Sequence, residues 1–173
     1  EDVRNNNLLI SLQNKNYDIA GQVQIGEAPS GKRQNELDFL IRYSEGDPWT
    51  IMEALNVSPK TAMTYWDKHM NKLVGRYNAS FGLRKVVLIS YVDCAEDIFK
   101  DLYQKFSGHM KAFHPENYQI KPDAFDHCPS LSNDKNYLQV DQCTYARNDQ
   151  PVTVYHYFVR MGDKEPPEEK LAE

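Results

Sequence analysis

Two short apolar runs open the chain, Leu8-Leu9-Ile10-Ser11-Leu12 and Ile19-Ala20-Gly21-Gln22-Val23-Gln24-Ile25. Asn14-Lys15-Asn16 lies between them and has the composition of a tight turn, so the pattern predicts an N-terminal β-hairpin within residues 1–29. Gly26 to Gly31 reads as a short linker. From Lys32 the period becomes helical. Leu37, Leu40 and Ile41 share one face of a helix that ends at Gly46, and Pro48 suits the first turn of a second helix carrying Ile51 and Leu55. Ser58 as N-cap, with Pro59 at the first helical position, starts a third helix that runs to about Leu73. Helices joined by three or four residues make a helix-turn-helix arrangement.

Leu83 to Tyr91 fits either a helix or a buried strand. Ile98, Phe99, Leu102, Tyr103, Phe106 and Met110 then form the apolar stripe of a helix beginning near Ala95. His114 to Lys135 reads as a loop. Tyr137 to Tyr145 and Val152 to Arg160 read as strands joined by a turn at Arg147-Asn148-Asp149. In the second strand Val152, Val154, His156 and Phe158 face one way, and Thr153, Tyr155, Tyr157 and Val159 the other. The expected fold class is α+β: an N-terminal β-hairpin (1–29), a helix-turn-helix-like centre (30–92), a further helix with a C-terminal antiparallel hairpin (93–161), and a mobile tail (162–173).

Composition narrows the function classes. The 173 residues are 40% apolar and 26% charged, enough for a packed core. No run approaches 18 apolar residues, so no membrane span is expected. The formal net charge of −5 argues against an indiscriminate polyanion binder. The charge is uneven, however. Between Ser30 and Lys85 nine Lys or Arg stand against six Asp or Glu, which places any anion-binding site in the middle third.

That middle third resembles the helix-turn-helix of the LuxR/GerE family of bacterial transcription regulators. The resemblance rests on Arg33, Glu36, Leu40, Gly46, Ile51, the run Leu55-Asn56-Val57-Ser58-Pro59-Lys60-Thr61, and Met70, Lys72 and Leu73. It implies a cytoplasmic DNA-binding transcription regulator, with the C-terminal region serving dimerisation or sensing. Lys60 and Thr61 would contact the backbone of duplex DNA, and Met63, Thr64 and Asp67 would face base edges. Lys68 and Lys72 complete the expected DNA-binding set. Family members commonly bind as dimers on near-palindromic sites.

Other chemistry is thinner. Nothing matches a Gly-rich phosphate loop, and neither an enzyme nor a cofactor is expected. Asp126-His127-Cys128, with His114, Cys143 and His156, offers zinc-type ligands at a spacing that matches no zinc module, so no metal is expected. Asp93, Glu96, Asp97 and Asp101 read as charge complementing a helix start. A different class of protein fits another set of features. Asn56-Val57-Ser58 and Asn78-Ala79-Ser80 are glycosylation patterns, and the chain begins at Glu1 rather than Met, which reads as a removed segment. With a Cys128–Cys143 bridge, these suggest a secreted or periplasmic binding domain. Its partner, or a second copy, would dock on the aromatic C-terminal sheet at Tyr137, Tyr145, Tyr155 and Tyr157.

Overall fold

A computed structural model describes residues 2–25, 35–116, 118–133, 137–147 and 149–162. Seven strands form one sheet: β1 (Asp18–Ile25), β2 (Asn35–Arg42), β3 (Pro48–Val57), β4 (Lys85–Val92), β5 (Gln119–His127), β6 (Leu138–Arg147) and β7 (Gln150–Arg160). Their order is β1-β2-β3-β4-β7-β6-β5. The inner pairs β3–β4 and β4–β7 are parallel, and the outer pairs are antiparallel. Parallel neighbours require long crossovers. The first is one helical rod, α2 (Met63–Met70), a π-helical stretch (Asn71–Tyr77) and α3 (Asn78–Phe81). α4 (Glu96–Ala112), followed by β5 and β6, makes the second. A further helix, α1 (Asp2–Gln13), precedes the sheet.

The class is therefore α+β, with strands toward the N-terminus, a central helical region and antiparallel strands at the C-terminus. Several finer expectations are corrected. Leu8 to Leu12 belong to α1 rather than to a hairpin strand, and Leu8, Leu9 and Leu12 pack on the sheet beside Ile19, Phe39 and Met52 while Ile10 is exposed. The two helices expected between Lys32 and Leu55 are strands β2 and β3. Because β3 is buried on both faces, its run from Thr50 to Leu55 is nearly continuously apolar and carries no alternation. Pro48 accordingly starts a strand, another place where its missing N–H is tolerated. With strands ahead of Ser58, no helix stands before the turn. The helix itself begins at Met63, and Ser58 to Thr61 form a turn in which Thr61 Oγ1 accepts the Ser58 N–H at 2.9 Å. β4 resolves the open choice over Leu83 to Tyr91 in favour of a strand, and the expected loop from His114 to Lys135 contains β5. The linker from Gly26 to Gly31 and the tail from Asp163 onward lie outside the described residues.

Two apolar layers sandwich the sheet. On one face Leu40, Ile51, Leu55, Leu88, Val154 and Phe158 meet Trp66, Met70, Leu73 and Tyr77 of the rod and Phe99, Phe106 and Met110 of α4. The Trp66 indole N–H, fully buried, donates to Ser90 Oγ at 2.9 Å. On the other face α1 covers Phe39, Met52, Ala54 and Ile89. Arg4 anchors α1 there, donating to Asn56 Oδ1 and Asp93 Oδ1, each at 2.6 Å. The facing of β7 is as the sequence pattern reads, and so are Phe99, Leu102, Phe106 and Met110 of the α4 stripe; Tyr103 is half-buried at its edge and Ile98 is exposed.

All three cysteines are free thiols. Cys143 lies opposite Phe125, and Cys128 sits three residues beyond it, so the expected bridge does not form. Tyr145 is fully buried among the core residues, which removes it from the expected aromatic docking face. The side chain of Asn78 is tied to the backbone of Leu83 by two 2.8 Å hydrogen bonds, so its glycosylation pattern is not presented to solvent.

Candidate functional site

The β2–β3 register sets Phe39 against Met52 and Leu40 against Ile51. Carried one residue further, it places Asp38 opposite Glu53, on the face that the helical rod covers. Asp38 Oδ2 accepts the backbone N–H of Ala54 at 2.7 Å, which fixes the carboxylate at this crossing. Glu53 is 1% exposed. Its Oε1 accepts from Lys72 Nζ at 2.8 Å and lies 2.8 Å from His69 Nδ1. Its Oε2 is buried with no partner. A carboxylate withdrawn from water costs several kcal/mol unless its charge and lone pairs are met, on the order of the penalties known for buried ions. One oxygen here is doubly met and the other is not, and an unpartnered buried acceptor marks a place for a ligand.

Burial works against the charge on Lys72, but the Glu53 carboxylate outweighs it and raises the lysine pKa. Lys72 also sits over the Tyr77 ring, 5.0 Å from its centroid. The Tyr77 hydroxyl donates to the Glu36 carbonyl; burial raises its pKa, with Glu53 and Asp38 adding to the rise. Asp38, Glu53, Lys72 and Tyr77 thus form one electrostatic unit.

Lys72, with His69, also lines a cleft of about 560 Å³ whose other walls carry Lys68, Asn71, Arg76 and Glu116. Lys68, Lys72 and Arg76 recur every fourth residue, and the π-helical stretch, with more than four residues per turn, keeps such positions in line along the rod. Asn71 Oδ1 accepts the Glu116 N–H at 2.8 Å, and the Tyr118 hydroxyl donates to the Val74 carbonyl at 3.1 Å. Those bonds hold the segment after α4 as the opposite wall. Three cations, Lys68, Lys72 and Arg76, face one concavity against the single carboxylate of Glu116, with His69 and Asn71 beside them, a lining that suits an anion of extended charge, a phosphate backbone above all.

Of the residues expected to bind DNA, only Lys68 and Lys72 line this cleft. Lys60 is exposed in the turn ahead of α2, and Thr61 closes that turn. Met63 packs against the core, and Thr64 is exposed. The Asp67 carboxylate is held by His109 Nε2 at 2.6 Å. Sequence reasoning missed Asp38, Glu53, His69 and Arg76. The available signal was a lone carboxylate within each of two apolar runs, Leu-Asp-Phe-Leu-Ile and Ile-Met-Glu-Ala-Leu.

A second polar cluster joins α4 to the sheet. Asp141, 1% exposed, accepts from the Tyr103 hydroxyl at 2.7 Å and lies 3.0 Å from His127 Nδ1. Burial raises the Tyr103 pKa, and the bond to Asp141 raises it further. Among the described residues no three His, Cys, Asp or Glu side chains converge as metal ligands. No described helix is long and apolar enough to cross a membrane. No family model matches the chain, and neither a curated protein nor a solved structure is similar to it.

Proposed function

We propose that this protein acts on nucleic-acid phosphodiesters, the cationic cleft holding the phosphate backbone and Asp38 and Glu53 holding a divalent cation for hydrolysis. The observation that carries this reading is Glu53, a buried carboxylate with one unpartnered oxygen, whose partners His69 and Lys72 line the cleft. A cage of three or more protein ligands is not needed. Magnesium keeps several waters and binds through one or two carboxylates plus the substrate's phosphate oxygens. Held there, such a cation would acidify a water for attack on phosphorus; the bond to the leaving sugar oxygen would break, and that oxygen would take its proton from solvent. Lys72 offsets the charge that builds on the phosphoryl oxygens, while Lys68 and Arg76 fix the register of the strand.

The transcription regulator expected from the sequence shares the phosphate contacts with this reading, and the two separate on cleavage and on which cations matter. A labelled random-sequence duplex is titrated at about 50 mM and about 200 mM salt, then incubated with Mg²⁺. Hydrolysis requires binding that weakens roughly tenfold or more with salt, cleavage in Mg²⁺, and a Glu53→Gln variant that binds but does not cleave. Salt-sensitive binding without cleavage, abolished in Lys60→Glu and kept in Arg76→Glu, would favour the regulator instead.

A further inference from the structure

Three aromatic side chains stand out at the opposite end of the β2 and β3 strands from Asn35 and Val57. Tyr17 follows the turn after α1, Tyr43 follows β2, and Trp49 is the second residue of β3. They are 43%, 52% and 40% exposed, although large rings ordinarily bury most of their area. Tyr17 and Trp49 lie with ring planes parallel to within 5° and centroids 6.1 Å apart. Tyr43 is inclined at 47° to Trp49 at the same separation. Together with Asn16, Asp18, Arg42 and Ser44 they line a concavity of about 300 Å³. The backbone holds this arrangement in place: Tyr43 and Asp47 close a tight turn through a 2.9 Å hydrogen bond, with Gly46 supplying a φ of +90°.

Charge decides what such a concavity takes. Asp18 lines it, and the turn that carries Tyr43 also carries Glu45 and Asp47. Arg42 is the one cation among the lining residues, and it lies 4.0 Å from Asp18. The Ser44 hydroxyl donates to Glu45 and lowers its pKa, so that carboxylate stays ionised. Counted over both turns that carry these residues, three carboxylates stand against Arg42 and Lys15, and Arg42 is held by Asp18, so the net negative charge disfavours a nucleotide's phosphates. Aromatic faces attract a cation most when it is weakly hydrated, and methylated ammonium groups meet that condition.

We propose that Tyr17, Tyr43 and Trp49 form a binding site for a quaternary or methylated ammonium group, separate from the phosphate cleft. The rings supply the cation–π faces and Asp18, Glu45 and Asp47 the surrounding negative field. The site stands on the opposite chemistry to the cleft and does not depend on the hydrolytic reading.

The test is a titration of the ¹⁵N-labelled protein with choline at fixed ionic strength, reading the two tryptophan indole cross-peaks. These are assigned with Trp49→Phe, since Trp66 is fully buried. The expected result is a saturable shift of the Trp49 peak with the Trp66 peak unmoved. Tyr43→Ala weakens binding by roughly fivefold, the share of one ring face, and Asp18→Asn weakens it as well. The uncharged isostere 3,3-dimethylbutanol is expected not to saturate at the same concentrations. The proposal is overturned if Trp49 does not respond saturably, if the isostere binds as well as choline, or if the Tyr43→Ala protein, folded by circular dichroism, binds unchanged.

Discussion

His156 sits on β7 with 1% of its surface exposed, its ring 5.7 Å from Phe106 and 6.2 Å from Phe125. Neither ring nitrogen has a partner. Burial pushes its pKa down from 6.5 to about 3. The folded state therefore keeps the imidazole neutral while the unfolded chain takes up a proton as pH drops below about 6.5. Stability should fall by about 1.36 kcal/mol for each pH unit below that point, or about 2.7 kcal/mol by pH 4.5. A His156→Leu variant fills the site, adds no titratable group and removes two unpartnered polar atoms, which favours it by about 1 kcal/mol at pH 7. Its advantage over the natural chain should then grow to about 3 to 4 kcal/mol at pH 4.5. Urea unfolding of both proteins at intervals from pH 7 to 4.5 reads this directly. Asp141 is the cross-strand neighbour of His156, and His127 holds Asp141, but both are present in the two proteins and their titration cancels in the difference. A constant gap between the two curves would refute the reasoning. A gap that narrows on acidification would show a His156–Asp141 proton-sharing pair instead.

Other consequences are equally open to measurement. Trp66→Ala deletes a fully buried ring and its bond to Ser90, and should lower unfolding free energy by about 3–5 kcal/mol in denaturant titrations. Gly82 ends the helical rod at φ +65°, so Gly82→Val should cost about 1–2 kcal/mol by the same assay, whereas nothing packs where its side chain would sit. Asn78→Ala removes both bonds to Leu83 and should cost about 1–3 kcal/mol. A Lys68→Glu, Arg76→Glu protein should show a shallower salt dependence of duplex binding, the logarithmic slope falling by roughly one for each phosphate that the cleft no longer neutralises.

How far the sequence is legible depends on how each element is buried. α4 buries one stripe, Phe99, Leu102, Phe106 and Met110, and its period shows in the residues themselves. β6 and β7 cover the core with one face and leave the other half-exposed, so alternation survives. β2 and β3 lie inside the sheet with helices on both sides. Leu37 and Leu40 pack toward the rod and Phe39 and Ile41 toward α1, so Leu37, Leu40 and Ile41 come from both faces of the strand while following a spacing that also fits a helix. That misreading is also what hid the candidate site. On two helices Asp38 and Glu53 are unrelated, but on antiparallel strands in this register they meet. Lys68 and Lys72 were legible as cations on one helix face, a pattern independent of what precedes the helix. Nothing in the sequence pairs Lys72 with Glu53, since that bond spans 19 residues and a crossover.

The central claim is that Asp38 and Glu53 hold a divalent cation next to the phosphate cleft, on the far side of His69 and Lys72. The most direct measurement is Mn²⁺ binding by electron paramagnetic resonance, with and without a short duplex, in the natural protein, Asp38→Asn and Glu53→Gln. The account predicts one bound Mn²⁺ in the natural protein, tighter when the duplex is present, and none in either variant at the same concentrations while both remain folded. No bound Mn²⁺ in the natural protein, or binding that survives both substitutions, would contradict it and leave Glu53 as a structural partner of Lys72 and His69.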